Sequence, residues 1–245
     1  MREIPTHCRG QVEHILRERW APGTAERVKM LVGQIEWVLQ QGRESQIILD
    51  CACGLGELLE SLTSRQGCCL EFHSRHCFEG IDIDPACAKE SRKWAAKEAD
   101  ACAMPFADNS RDIVVAAMLI EHVENPTQLL REIHRVSKRW ALISTPNAMR
   151  PAKVWSGMKR ELRWERSGHR QTWDYHLFRQ VLENNGFKVH RIDVRFVDFP
   201  WGHRAFPWLA KWLSHGPLKR AFPWLGSEMY AVCEKTEVAG ADCAI

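Results

Sequence analysis

The sequence has little net charge. Its 34 Lys and Arg against 31 Asp and Glu leave +3 over 245 residues, which excludes a polycation that coats nucleic acid by charge alone. It also lacks a long apolar run. The longest, Ile113 to Ile120, is far too short to span a bilayer, and the opening Met1-Arg2-Glu3-Ile4-Pro5 has no basic-then-apolar export pattern, so a cytoplasmic chain is expected. Without an export pattern the 10 cysteines read as reduced thiols and not as a disulfide framework. Cys51, Cys53, Cys87, Cys102 and Cys233 lie in or beside apolar stretches, where a free thiol acts as a small hydrophobe. The tract Cys68-Cys69-Leu70-Glu71-Phe72-His73-Ser74-Arg75-His76-Cys77 gathers soft ligands but lacks CxxC spacing. Its vicinal cysteines would chelate poorly, so it reads as a surface loop, and no metal site is expected.

What the chain does contain is an alternation of short apolar runs with helical periods. Residues 11–41 carry two helices broken at Pro22-Gly23-Thr24, with Thr24 placed to cap the second. Strands are predicted at Ile47–Asp50, Phe78–Ile83, Asp112–Ala117, Trp140–Ser144, Phe187–Val197 and Glu228–Glu234, and helices near Glu57, at Pro85–Lys97, Pro126–Val136 and Thr172–Asn184. That order implies parallel βαβ units with helices on both faces of a sheet, and an antiparallel edge made by the last two strands. We read one domain: N-terminal helices over 1–45, a ligand-binding core over 46–149, and a C-terminal half over 150–245 whose stretches 150–171 and 196–227 form a cap.

In such a sheet, ligands bind beyond the carboxyl ends of the strands where strand order reverses. Asp50-Cys51-Ala52-Cys53-Gly54-Leu55-Gly56 follows the first strand, and Gly80-Ile81-Asp82-Ile83-Asp84 closes the second. Asp100-Ala101 precedes Met104-Pro105-Phe106, and Glu121-His122-Val123 follows the strand at 112–117. A glycine turn alone would serve several nucleotides, but the third glycine of GxGxxG is absent: Glu57-Leu58-Leu59 follows Gly56, which disfavours a Rossmann oxidoreductase. Asp82 and Asp50 each have a rival role as a helix cap, and Asp84 reads as the cap of the helix at Pro85.

The ordered set of Asp50-Cys-Ala-Cys-Gly-Leu-Gly, Gly80-Ile-Asp-Ile-Asp, the run from Asp100 to Asp112-Ile-Val-Val, Glu121-His-Val-Glu-Asn-Pro, Leu129 to Val136, and Ile143-Ser-Thr-Pro-Asn147 resembles the class I S-adenosylmethionine methyltransferases. The likeness extends over roughly residues 46–190 and is greatest to the subgroup that includes ubiquinone and menaquinone methyltransferases. It implies a doubly wound, Rossmann-like α/β fold with a seven-stranded, mostly parallel sheet, and S-adenosylmethionine as cofactor. By that resemblance Asp50, Cys51 and Gly54 surround the methionine part, Gly56 is a further cofactor-binding residue, Asp82 binds the ribose hydroxyls, Ile83 packs on adenine, Asp100 accepts from the adenine amino group, and Ala101 adds a backbone contact. Three departures stand out. Ala52 replaces the usual first glycine, tolerable if no positive φ is needed there; the Cys/His tract lengthens the Asp50 to Asp82 separation; and Lys138-Arg139-Trp140 stands where Pro-Gly-Gly is common.

Methyl transfer needs a base only for protonated acceptors. His122 and His169 are the candidates, each with a bland alternative in loop hydrogen bonding or capping. Residues 150–170 and 195–225 interleave Arg and Lys with Trp, and Phe-Pro-Trp recurs at 199–201, 206–208 and 222–224. Such stretches suit a small-molecule or lipid-linked acceptor, an anionic one included, with peripheral membrane contact through 199–225. An ordinary packed cap fits equally, and nucleic acid is not expected as a partner. A catalytically silent S-adenosylmethionine-binding scaffold is the other reading left open.

Overall fold

The computed structural model describes residues 22–42, 45–63, 76–149, 169–195 and 226–237. The first predicted helix, most of the Cys/His tract and nearly all of the predicted cap, including the Phe-Pro-Trp repeats, lie outside the described residues. Within them the chain forms α1 (Pro22–Leu39), β1 (Ile47–Cys51), α2 (Glu57–Thr63), β2 (Cys77–Asp82), α3 (Pro85–Glu90), β3 (Ala96–Glu98), β4 (Arg111–Ala117), α4 (Pro126–Val136), β5 (Ser137–Pro146), α5 (Tyr175–Asn184), β6 (Phe187–Arg195) and β7 (Glu228–Lys235). None of these helices is long and apolar enough to cross a membrane.

The seven strands form one sheet in the order β3-β2-β1-β4-β5-β7-β6. β1 pairs in parallel with both β2 and β4, and β4 with β5. β7 runs antiparallel between β5 and β6. The antiparallel edge is therefore present as expected, with the last strand inserted inside the one before it. Strand order reverses between β1 and β4, which opens a crevice beyond their carboxyl ends.

Alternation along β1 assigns the two faces. Leu49 and Cys51 join a core with Leu129, Leu130 and Ile133 of α4 and Phe178 and Leu182 of α5. Ile48 joins the opposite core with Ile35 and Val38 of α1 and Leu58, Leu59 and Leu62 of α2. Both faces are covered, so the central strands read as continuous apolar runs rather than alternating ones.

Three expectations are corrected. Thr24 lies inside α1, which begins at Pro22; a proline at the first helical position suits that start because its missing N–H would have no helical partner. The helix predicted over Pro85–Lys97 ends at Glu90 and tightens into a 3-10 turn over Ser91–Trp94; Ala95 then takes φ 60°, and Ala96–Glu98 becomes the edge strand β3. Ala52 sits at φ 60°, so the position does require the left-handed conformation that the missing glycine would supply without strain.

An L-residue in that conformation costs about 1–2 kcal/mol, partly offset because glycine loses more chain entropy on folding. Ala52→Gly is expected to raise the thermal unfolding midpoint by about 1–4 °C. A lowered midpoint in calorimetry would show that the alanine is accommodated without strain.

Candidate active site

The loop from β1 into α2 is tied to β2 by a short set of bonds. The Cys53 amide donates to the Ile81 carbonyl at 2.9 Å, and the Gly56 amide closes the turn onto Cys53 at 2.8 Å. Gly54 and Gly56 have φ of 54° and 80°, and a Cβ on Gly56 would sit 2.6 Å from the Trp94 ring. Glycine is needed at Gly56 twice over, for its dihedral and for its lack of a side chain.

Asp82 holds this loop. Its Oδ2 accepts from the Gly54 amide at 2.9 Å and its Oδ1 from the Asp84 amide at 2.8 Å. The capping role belongs to Asp84, whose Oδ1 accepts from Ala86 at 2.8 Å. Burial pushes the Asp82 carboxyl above the usual carboxylate range, against the lowering effect of the two amide donors. Asp50, 3 % exposed at the end of β1, is driven well above its ordinary value by burial and then by repulsion from Asp82 and Glu57. Negative charge is thus crowded into a dry crevice beside a loop with open backbone approach.

The other predicted contacts fall around that crevice. Cys51 is fully buried, its Sγ 3.8 Å from the Met104 Sδ. Ile83 follows Asp82 and is half-buried. The Ala99 amide donates to the Asp82 carbonyl at 3.0 Å, which brings the segment after β3 alongside. There the Asp100 Oδ1 accepts from the Cys102 amide at 2.8 Å, bending the chain around buried Ala101.

Across the switch point, β4 leads into Met118, at φ 50°, a strained conformation for a long side chain. The Met118 amide donates to both the carbonyl and the Oγ of Ser144, at 3.1 and 3.2 Å. Beyond it His122 and His169 come together, rings edge-to-face with centroids 4.8 Å apart, although 46 residues separate them in sequence.

Beside them is Glu121, which the sequence sets after the fourth strand without a role of its own. It is 1 % exposed, and Thr145 Oγ1 donates to its Oε2 at 3.2 Å. Burial pushes its carboxyl up to about 8. Nearby, Glu228 is equally buried but behaves oppositely. Burial would raise it, yet Arg27, Arg195 and Tyr230 outweigh that and hold it below the usual range; Arg27 and Arg195 lie at 2.7–2.8 Å and the Tyr230 hydroxyl at 2.6 Å. Glu121 follows β4 and Glu228 opens β7, and neither position carries a sequence mark of whether its acid will be buried.

A sequence profile for a methyltransferase domain matches residues 13–192. The chain belongs to that methyltransferase family. Membership bears out the expected fold class and S-adenosylmethionine as donor, without singling out the quinone subgroup. No curated protein sequence matches the chain. Among solved structures, a Haloferax volcanii methyltransferase complex with the Trm112 activator aligns at TM-score 0.61 and 18% identity, over 94% of this chain and 96% of that one. Magnesium protoporphyrin IX methyltransferase from Synechocystis, with bound SAH, aligns at 0.59 and 13%, over 87% and 85%. A Methanosarcina mazei S-adenosylmethionine-dependent methyltransferase aligns at 0.56 and 15%, over 81% and 96%. At these identities the likeness is one of fold.

The methyltransferase's crowded acids predict a measurable stability defect. Because the folded-state pKa of Asp50 is raised, the ligand-free protein gains stability as pH falls through that value toward the ordinary carboxylate range. Asp50→Asn is therefore expected to raise the neutral-pH thermal midpoint by about 2–4 °C, the shift from ~1 kcal/mol at this chain length. The difference from wild type should shrink on acidification; a midpoint lower at neutral pH would mean that the carboxylate is paid for within the fold.

Proposed function

We propose that this methyltransferase binds S-adenosylmethionine in the crevice beyond β1 and β2 and transfers its methyl group to a small-molecule or lipid-like acceptor. The observation that carries the reading is the pair of buried, elevated acids, Asp50 and Asp82, beside a glycine turn. A ligand with a cationic ammonium, a cationic sulfonium and a ribose diol relieves what that crevice lacks, because both cations and hydroxyl donors stabilise buried carboxylates.

Asp82 offers the remaining lone pairs of both carboxylate oxygens to the diol. Asp50 sits where the ammonium end would approach, and the amides around Gly54 and Gly56 accept close backbone contact because no Cβ intervenes. Asp100 and Ala101 close the adenine end, with Ile83 as its apolar wall. The donor supplies an electrophilic methyl on sulfur, so the protein's task is to align the acceptor in line with that bond and take any proton it loses.

On the acceptor side, His122 and His169 stand at the carboxyl end of β4, backed by Glu121. A neutral imidazole there can take a proton from a hydroxyl or amine acceptor near neutral pH. The basic and tryptophan-rich stretches at 150–171 and 196–227 would cover the acceptor, and their composition suits an anionic amphiphile held partly at a membrane surface. Residues 199–225 are the segment proposed to make that contact.

Asp82→Asn is expected to weaken S-adenosylmethionine binding by about 1–3 kcal/mol, the loss of charge-assisted hydrogen bonds in a partly buried site. Since the anion is the binding form and the Asp50 and Asp82 pKa values are raised, wild-type affinity should begin to fall on acidification well above the pH at which an ordinary carboxylate titrates. Titration calorimetry across pH checks both. Unchanged affinity in the variant would remove Asp82 from the site.

A further inference from the structure

We propose that Glu121, His122 and His169 bind one divalent transition-metal ion of the zinc class, a site that the sequence does not suggest. Their carboxylate oxygen and ring nitrogens all lie within 4.8 Å of one another. The three residues come from two segments that meet only in the fold, the turn after β4 and the lead into α5. The amides of Arg170 and Gln171 join those segments, donating to the Glu121 carbonyl at 2.7 and 3.1 Å.

Glu121 supplies the independent sign. It is 1 % exposed, and its Oε1 is buried without a hydrogen-bond partner among the described residues, 3.9 Å from the His122 Nε2. A buried carboxylate oxygen left in that state is costly unless a cation or a proton meets it. An ion seated between this oxygen and the two imidazoles supplies the cation that the carboxylate lacks.

Ligand atoms about 2.0–2.1 Å from an ion lie at most ~4.2 Å apart, so the cluster must close by about half an ångström or more on binding. His122 and His169 are half-buried and can supply that by ring rotation. Two imidazoles with one carboxylate favour zinc, cobalt, iron or manganese over the all-oxygen preference of calcium and magnesium. Three protein ligands leave at least one coordination position open. On the acceptor side of the proposed donor crevice, an acceptor oxygen could occupy that position, and the ion would lower its proton affinity in place of a free histidine base. That role rests on the proposed methyl transfer; the site itself does not.

The test uses the full chain, stripped with a chelator, kept reduced and titrated with Co²⁺, whose visible spectrum separates nitrogen and oxygen ligation from thiolate ligation. One Co²⁺ per chain without a thiolate charge-transfer band, displaced by Zn²⁺, is expected. Affinity should fall at least about tenfold in His169→Ala and in Glu121→Gln while S-adenosylhomocysteine binding is kept; if Glu121→Gln fails to fold, His122→Ala replaces it. Absence of stoichiometric binding would overturn the proposal. So would binding that survives these substitutions, including binding with a thiolate band, which would assign the ion to the Cys68 to Cys77 tract. Wild-type protein that takes up Co²⁺ as described yet binds no S-adenosylhomocysteine would uphold the site and refute the proposed function.

Discussion

Two hydrogen bonds accepted by a single buried carboxylate tie together the loops beyond β1 and β2. Asp82 takes one amide from the loop after β1 and one from the turn after β2, and so reinforces the Cys53 to Ile81 backbone bond that joins the two strand ends. The cost is a charge held in a dry place, with Asp50 adding a second within its field. A fold with only its own stability to serve would replace both with apolar or neutral polar side chains. Their presence at the switch point of a doubly wound sheet supports the ligand site proposed there.

The carboxyl ends of β4 and β5 follow a different logic. There the anion Glu228 is neutralised inside the fold by Arg27, Arg195 and Tyr230, which fastens α1 to β6 and β7 at the end of the sheet that carries the site. Glu121, one strand away, accepts from the Thr145 hydroxyl at one oxygen, while its other oxygen is buried without a partner among the described residues. Two equally buried glutamates thus have opposite electrostatics: one is a structural clasp, and the other is left with unspent capacity beside two histidines. The contrast separates scaffold from chemistry more sharply than exposure or position does.

Much of this was legible in the sequence because buried parallel strands announce themselves as apolar runs ended by acids. Six of the seven strands, the helices at Pro126 and Thr172, and the crevice residues Asp50, Gly54, Gly56 and Asp82 could be read that way. β3 could not. Ala96, Lys97 and Glu98 are helix formers, and Ala96 alone of the three is buried, so local preference pointed to continued helix while pairing with β2 decided otherwise. The left-handed dihedral of Ala52 was equally hidden, since an alanine gives no hint of a positive φ. Glu121 was visible as a residue but not as a buried one, because its surroundings are assembled from Thr145 and from the segment after His169. Pairing with distant chain, rather than local pattern, determined each of these.

The central claim is that the acid-lined crevice at β1 and β2 takes a cationic adenosyl ligand. Titration calorimetry of the whole chain with S-adenosylmethionine, S-adenosylhomocysteine and NAD, repeated in buffers of different ionisation enthalpy, tests it most directly. The account predicts one site for the two sulfur compounds, no binding of NAD, and proton release on binding S-adenosylmethionine that grows as pH is lowered into the range where the raised carboxyls of Asp50 and Asp82 begin to hold protons. Folded protein that binds neither sulfur compound, or that prefers NAD, would contradict it.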